Sequence, residues 1–189
     1  MIIRSELDII RLIEKDQWMI EILQAVKSLE LSDNWVCAGF VRSKVWDTLH
    51  GFEERTPIPD IDVIYFDKDN IDEMKEKILE EKLRELIPNI PWSVKNQARM
   101  HVVNNFPPYS SSFDAISKFP ETATALGVKL NEEGKVILIA PHGIADVINL
   151  ELKPTPYFVG TQDLIEIYRN RMFKKRWKSI WPMIKMNSL

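Results

Sequence analysis

Cysteine is almost missing from this chain of 189 residues; Cys37 is the only one. A disulfide within the chain is therefore excluded, which suits a reducing compartment. Long apolar runs are missing too. Stretches such as Val136–Ala140 fall far short of the roughly 20 residues that cross a bilayer. Glu6 and Asp8 stand where a secretory leader would keep an uncharged segment. The expectation is a cytoplasmic protein with no membrane partner. Positive charge is not in surplus either. The net charge is −3, so any polyanion has to be met by a local basic patch. What is present is ordinary globular material, 45% hydrophobic and 28% charged. Six tryptophans point to a well-filled core or a stacking surface.

Apolar spacing predicts two helices over roughly 5–14 and 16–30. A short strand at Trp35–Ala38 is stopped by Gly39, and a helix from Phe40 to His50 is closed by Gly51. A strand over Asp60–Phe66 follows, then a charged helix over Ile71–Ile87 with Glu73/Lys77 and Glu80/Arg84 four apart. Residues Trp92–His101 read as a third strand, and short helices are expected at Ala115–Phe119 and Glu121–Ala125. Asn131-Glu132-Glu133-Gly134 turns a hairpin between Val128–Leu130 and Val136–Ile139. A short helix over Ile144–Leu150 and a basic helix from Gln162 complete the chain. The fold class is α+β, with a mixed β-sheet flanked by helices. One domain is expected over 1–189: a helical segment 1–34, a core 35–153 and a C-terminal helical segment 154–189.

The chemistry concentrates at residues 56–67, TPIPDIDVIYFD. Carboxylates are poor strand formers, yet Asp60 and Asp62 open a β-branched run. Two apart on a strand, their side chains share a face and can converge on a hard cation such as Mg²⁺. The plain alternative is an Asx-type turn at a strand entrance. Upstream, the strand that ends at Gly39 leads straight into a helix, so free N–H groups and a positive dipole end face whatever lies there. Arg42 and Ser43 in the first helical turn can add donors to a triphosphate. On the Trp92 strand, Ser93, Lys95, Gln97 and Arg99 share one face and Trp92, Val94, Asn96, Ala98 and Met100 the other. That is either a half-exposed sheet or a face on which Lys95 and Arg99 meet phosphate.

Ala38-Gly39-Phe40 followed by Asp60-Ile61-Asp62-Val63 resembles the signature of the DNA polymerase beta-type nucleotidyltransferase superfamily. The blocks AGFVRSKVWD, DIDVIYFD, WSVKNQARMH, FPETATA and APHG are similar to a bacterial family within it. The resemblance implies a nucleotidyltransferase-like fold with a Mg²⁺-binding carboxylate pair at Asp60 and Asp62. It also implies a nucleoside triphosphate donor and transfer of the monophosphate to an acceptor hydroxyl. A small molecule or a protein is the expected acceptor ahead of RNA, because the chain is negative and has no separate RNA-binding module. Two positions depart from the superfamily pattern. Phe40 replaces a small residue, and Gly39 is unusually far from Asp60. The superfamily also places a third carboxylate on the following strand, whereas Trp92–Arg99 holds none. Glu121, Asp114 and Asp146 are the acids the fold could bring in instead. The alternative function is a non-catalytic nucleotide-binding or interaction module.

Elsewhere the chemistry is thin. His50, His101 and His142 are too scattered for a zinc site, and Cys37 reads as a small core thiol. The tail from Tyr168 to Lys178 carries six basic residues and no acid. It reads as an amphipathic helix with Ile165, Tyr168, Met172 and Trp177 inward and a solvated basic face; nucleic-acid binding is the competing reading.

Overall fold

The computed structural model describes residues 2–186. Ser5 starts α1 (Glu6–Glu14) with a reciprocal cap: its hydroxyl accepts from the Asp8 N–H, and the Asp8 carboxylate accepts from the Ser5 N–H. Asp16 caps α2 (Gln17–Lys27) by accepting from the Met19 N–H. Strand β1 (Trp35–Cys37) then runs directly into α3 (Gly39–His50), which Gly51 ends in the left-handed conformation at φ 69°. After the loop 51–60 come β2 (Ile61–Tyr65), α4 (Glu73–Leu86) and β3 (Trp92–Asn96).

The remaining elements are α5 (Gln97–Asn104), α6 (Ser112–Ser117), β4 (Gly127–Leu130), β5 (Val136–Ile139) and α7 (Ala145–Ile148). Last come β6 (Glu151–Leu152), α8 (Gln162–Lys175), α9 (Trp177–Ile180) and β7 (Lys185–Met186). The main sheet has the order β3-β2-β1-β4-β5 and is mixed. Only β2 and β3 are parallel, which requires the α4 crossover between them. The pairs β1–β2, β1–β4 and β4–β5 are antiparallel. Strands β6 and β7 form a separate parallel pair.

Alternation along the strands divides the sheet into two faces. Val36, Ile61, Val63, Tyr65 and Val128 join the large core with Ile9, Ile22, Phe40 and Trp46 from the helices. Trp35, Cys37 and Ile64 face the other way and meet Ile116 and Ala125 in a small cluster. Asp62 shares that second face with Ile64. Burial therefore fixes the strand register and, with it, the side on which the carboxylate emerges.

Two expectations are corrected. The third strand stops at Asn96, whose side chain accepts from the Ala98 N–H and caps α5, so Arg99 is helical. Residues 121–125 form turns in place of a helix, and Glu121 makes a bridge to Pro154. A further detail concerns α4. Lys77 pairs with Glu80 at 2.9 Å, and Glu80 also meets Arg84 at 3.5 Å. Buried Glu76 and Glu80 accept hydrogen bonds from the Asn96 and Val94 N–H groups on the outer side of β3.

Candidate active site

A cleft of about 330 Å³ opens where the β1–α3 turn, the start of β2 and the α8–α9 segment meet. Its walls include Gly39, Arg42, Ser43, Asp60, Asp62, Arg171 and Lys175. Five of the residues singled out in the sequence are thus brought together. Lys95 and Arg99 are not among them. Arg99 donates from Nε and Nη2 to Glu76 at 3.0 and 2.8 Å, and Lys95 lies 3.4 Å from the same carboxylate. Both cations serve the buried acids of α4, so the reading of them as phosphate contacts is not carried forward.

Asp60 is exposed just before β2, and Asp62 is half-buried on the strand. Among the described residues no hydrogen bond or ion pair engages either carboxylate. Burial, and then the charge of Asp60, push Asp62 up to about 6, against the pull of Lys175, Arg171 and Arg42. Two unpartnered carboxylates that repel each other beside open space are a donor set suited to a divalent cation. A third ligand does not join them: no group of three His, Cys, Asp or Glu side chains is placed for a metal among the described residues. The three acids considered for that role are engaged elsewhere. Glu121 accepts from Arg171 Nε and from Thr124 Oγ1. Asp114 pairs with Lys118, and Asp146 with Lys153, each at 2.8 Å.

Arg42 is the central cation of the cleft. It is 6% exposed, and its guanidinium carbon lies 4.3 Å from the Trp177 ring centroid, 5.1 Å from Trp46 and 5.7 Å from Trp181. One Nη donates to Ser43 Oγ at 3.3 Å, whereas Nε has no partner. Burial lowers its pKa to about 10, with Glu121 opposing the change, so it stays charged at neutral pH.

The α3–β2 loop is tied down by two acids. Asp16 accepts both contacts of an Arg55 Nη, at 2.7 and 2.8 Å, and Arg55 lies over Trp18. Asp47 accepts from the Thr56 N–H and hydroxyl and from Trp181 Nε1. These anchors hold the long stretch from Gly39 to Asp60, and the Trp181 bond ties it to the C-terminal segment.

Sequence reading missed Arg171, Lys175, Trp177 and Trp181 as cleft residues. The signal was spacing. Arg171 follows inward-facing Tyr168 by three, and Lys175 follows Met172 by three, which puts both cations on the flank of the packed stripe. The basic face of the tail is therefore not uniformly solvated.

A mixed sheet that carries paired carboxylates beside a strand-to-helix turn defines a class, and the fold here is that of a nucleotidyltransferase head domain. The chain belongs to the family described as Nucleotidyltransferase, whose model matches residues 24–186. A solved structure described as revealing a CCA-adding enzyme head domain matches with a TM-score of 0.87 and 36% identity, over 99% of this chain and 98% of that one. A CCA-adding enzyme in complex with CTP matches at 0.60 and 14% identity, over 98% of this chain and 44% of the other. The Thermotoga maritima CCA-adding enzyme complexed with tRNA matches at 0.56 and 16%, over 100% of this chain and 43% of the other. The chain thus spans less than half of those two enzymes, and at such identities the likeness concerns the fold. Curated proteins gave no match. No helix among the described residues is long and apolar enough to cross a membrane.

Proposed function

We propose that the chain transfers a nucleoside monophosphate from a nucleoside triphosphate to an acceptor hydroxyl and releases pyrophosphate. The observation that carries this reading is the unpartnered Asp60/Asp62 pair, which shares its cleft with a buried, charged arginine. Asp60 and Asp62 would hold Mg²⁺. The ion, when bound, would neutralise the pair and polarise the phosphate oxygens. Arg42, Ser43 and the N–H groups of the first α3 turn would meet the triphosphate, and Arg171 and Lys175 supply further positive charge from α8. The acceptor oxygen attacks the α-phosphorus, its hydroxyl proton passes to water or to a carboxylate of the cleft, and the bond to the departing pyrophosphate breaks. Those cations take up the charge that develops on it.

Residues from Ile3 to Ile184 share one core, in keeping with a single unit. The CTP complex among the similar structures supports a nucleoside triphosphate as donor. The tRNA complex among the similar structures is a reason to try an RNA end as acceptor alongside small molecules and proteins. A second reading, a nucleotide-binding module without turnover, is favoured by the lack of a third metal ligand among the described residues.

The test incubates the protein with Mg²⁺, each nucleoside triphosphate and candidate acceptors, and measures pyrophosphate together with a mass gain of one nucleotide. Asp60→Asn/Asp62→Asn is expected to lose Mg²⁺-dependent nucleotide binding and all turnover. Mg²⁺-dependent binding without pyrophosphate selects the module. Binding that ignores both Mg²⁺ and the double substitution removes the site.

A further inference from the structure

A second cavity, about 610 Å³, adjoins the cleft, and Arg171 and Lys175 line both. Its composition differs from that of the cleft. Phe106 and Phe119 are half-buried rings on its walls, beside the buried rings of Tyr109 and Phe158. Phe106 is locked edge-on against Tyr157 at 4.9 Å and 64°. The amides of Gln97, Asn104 and Asn170 also line it, and no carboxylate among the described residues does. Lys118 on its wall pairs with Asp114 at 2.8 Å, and Arg171 is bonded through Nε to Glu121. Lys174 lines it as well, so the cavity combines aromatic and amide walls with cations, two of which, Arg171 and Lys175, it shares with the carboxylate cleft.

The cleft itself has no ring face to offer. Trp46, Trp177 and Trp181 are 0, 6 and 2% exposed, and Arg42 lies against all three. A flat heterocycle has to stack somewhere else.

Building on the nucleotidyl-transfer reading, we propose that this second cavity is the nucleoside pocket of the triphosphate donor. The base lies against Phe106 and Phe119, and the amides meet its polar edge. The phosphates pass Arg171 and Lys175 toward Arg42 and the Asp60/Asp62 pair. One molecule, planar at one end and polyanionic at the other, then accounts for both cavities and for the two cations between them. The volume lies within the roughly 300–1,000 Å³ that small-molecule sites occupy.

Asn170 is exposed on α8 and lines this cavity but not the cleft, so Asn170→Trp fills the pocket from a position whose packing the fold does not need. Calorimetry with Mg²⁺ would compare ATP, CTP, GTP and UTP with inorganic tripolyphosphate, in the unaltered chain and in this variant. The expected result is nucleotide binding roughly tenfold or more weaker, the scale of a lost base stack, with tripolyphosphate affinity held to within about twofold. Unchanged nucleotide affinity overturns the pocket and hands the cavity to the acceptor. Equal loss of nucleotide and tripolyphosphate overturns it as well. Failure of the underlying reading looks different: tripolyphosphate would then bind without regard to Mg²⁺ or to Asp60→Asn/Asp62→Asn.

Discussion

Ala38 carries a strain that its neighbour Gly39 does not. Its backbone sits at φ 55°, ψ −114°, a region that an L side chain rarely enters, and no side chain caps the helix it precedes. Such a conformation costs about 1–3 kcal/mol, whereas glycine loses about 0.5–1 kcal/mol in extra chain entropy. The balance favours glycine. Ala38→Gly is expected to raise the thermal midpoint, and β-branched Ala38→Val to lower stability by about 1–3 kcal/mol; differential scanning calorimetry decides both. Gly39 was the residue that stood out in the sequence, yet a Cβ there would meet only Arg42 Nη2 at 3.6 Å and Ile58 Cγ2 at 3.8 Å, ordinary contacts. The folded chain does not itself require a glycine at that position. A motif identifies the turn, but the dihedral angles depend on where β1 and α3 are pinned by their partners, which no local window contains.

Among the elements, the α3–β2 loop shows best how distant groups set the site. Asp47 is 5% exposed and accepts three hydrogen bonds, two from Thr56 and one from Trp181. Asp47→Asn keeps the shape but replaces one acceptor oxygen with a donor facing donors. A loss of about 1–3 kcal/mol is expected. Urea unfolding followed by tryptophan fluorescence measures it, and loosening of Trp181 should appear as a shifted emission in the folded baseline. Helices α1 to α4 and α8, the hairpin and β2 were legible because their periods and caps are local: Ser5 with Asp8, Asn131 to Gly134, Gly51 after His50. The end of β3 was not. The alternation from Trp92 to Met100 suits a strand, and only the Asn96 side chain, bonded to the Ala98 N–H and to the Asp67 and Asn70 carbonyls, switches the chain to helix. Two of those partners lie 26 and 29 residues upstream.

At the level of the whole molecule, the carboxylate pair was legible and most of its surroundings were not. Arg171 and Lys175 enter from α8, more than a hundred residues beyond Asp62, and Arg171 is aimed by buried Glu121. The helical spacing marked an inward stripe but could not say what lay opposite it. The edge of the sheet carries one further consequence. Strand β3 ends the sheet, yet its outward Val94 and Asn96 N–H groups are already spoken for by Glu80 and Glu76. Glu80 is held below the ordinary glutamate value of 4.5, because Lys77, the Val94 N–H and Lys95 outweigh the upward push of burial. Its folded pKa is depressed, so its contribution to stability is complete above the unfolded value and declines as pH falls through the lower folded one. Light scattering and unfolding midpoints measured from pH 6 down to about pH 3 should show stability falling and aggregates forming together; scattering that stays flat while stability falls would count against the edge as the cause. At neutral pH the two glutamates leave a neighbouring copy no N–H group at these positions from which to continue the sheet, so this margin does not act as a seed for fibrous growth.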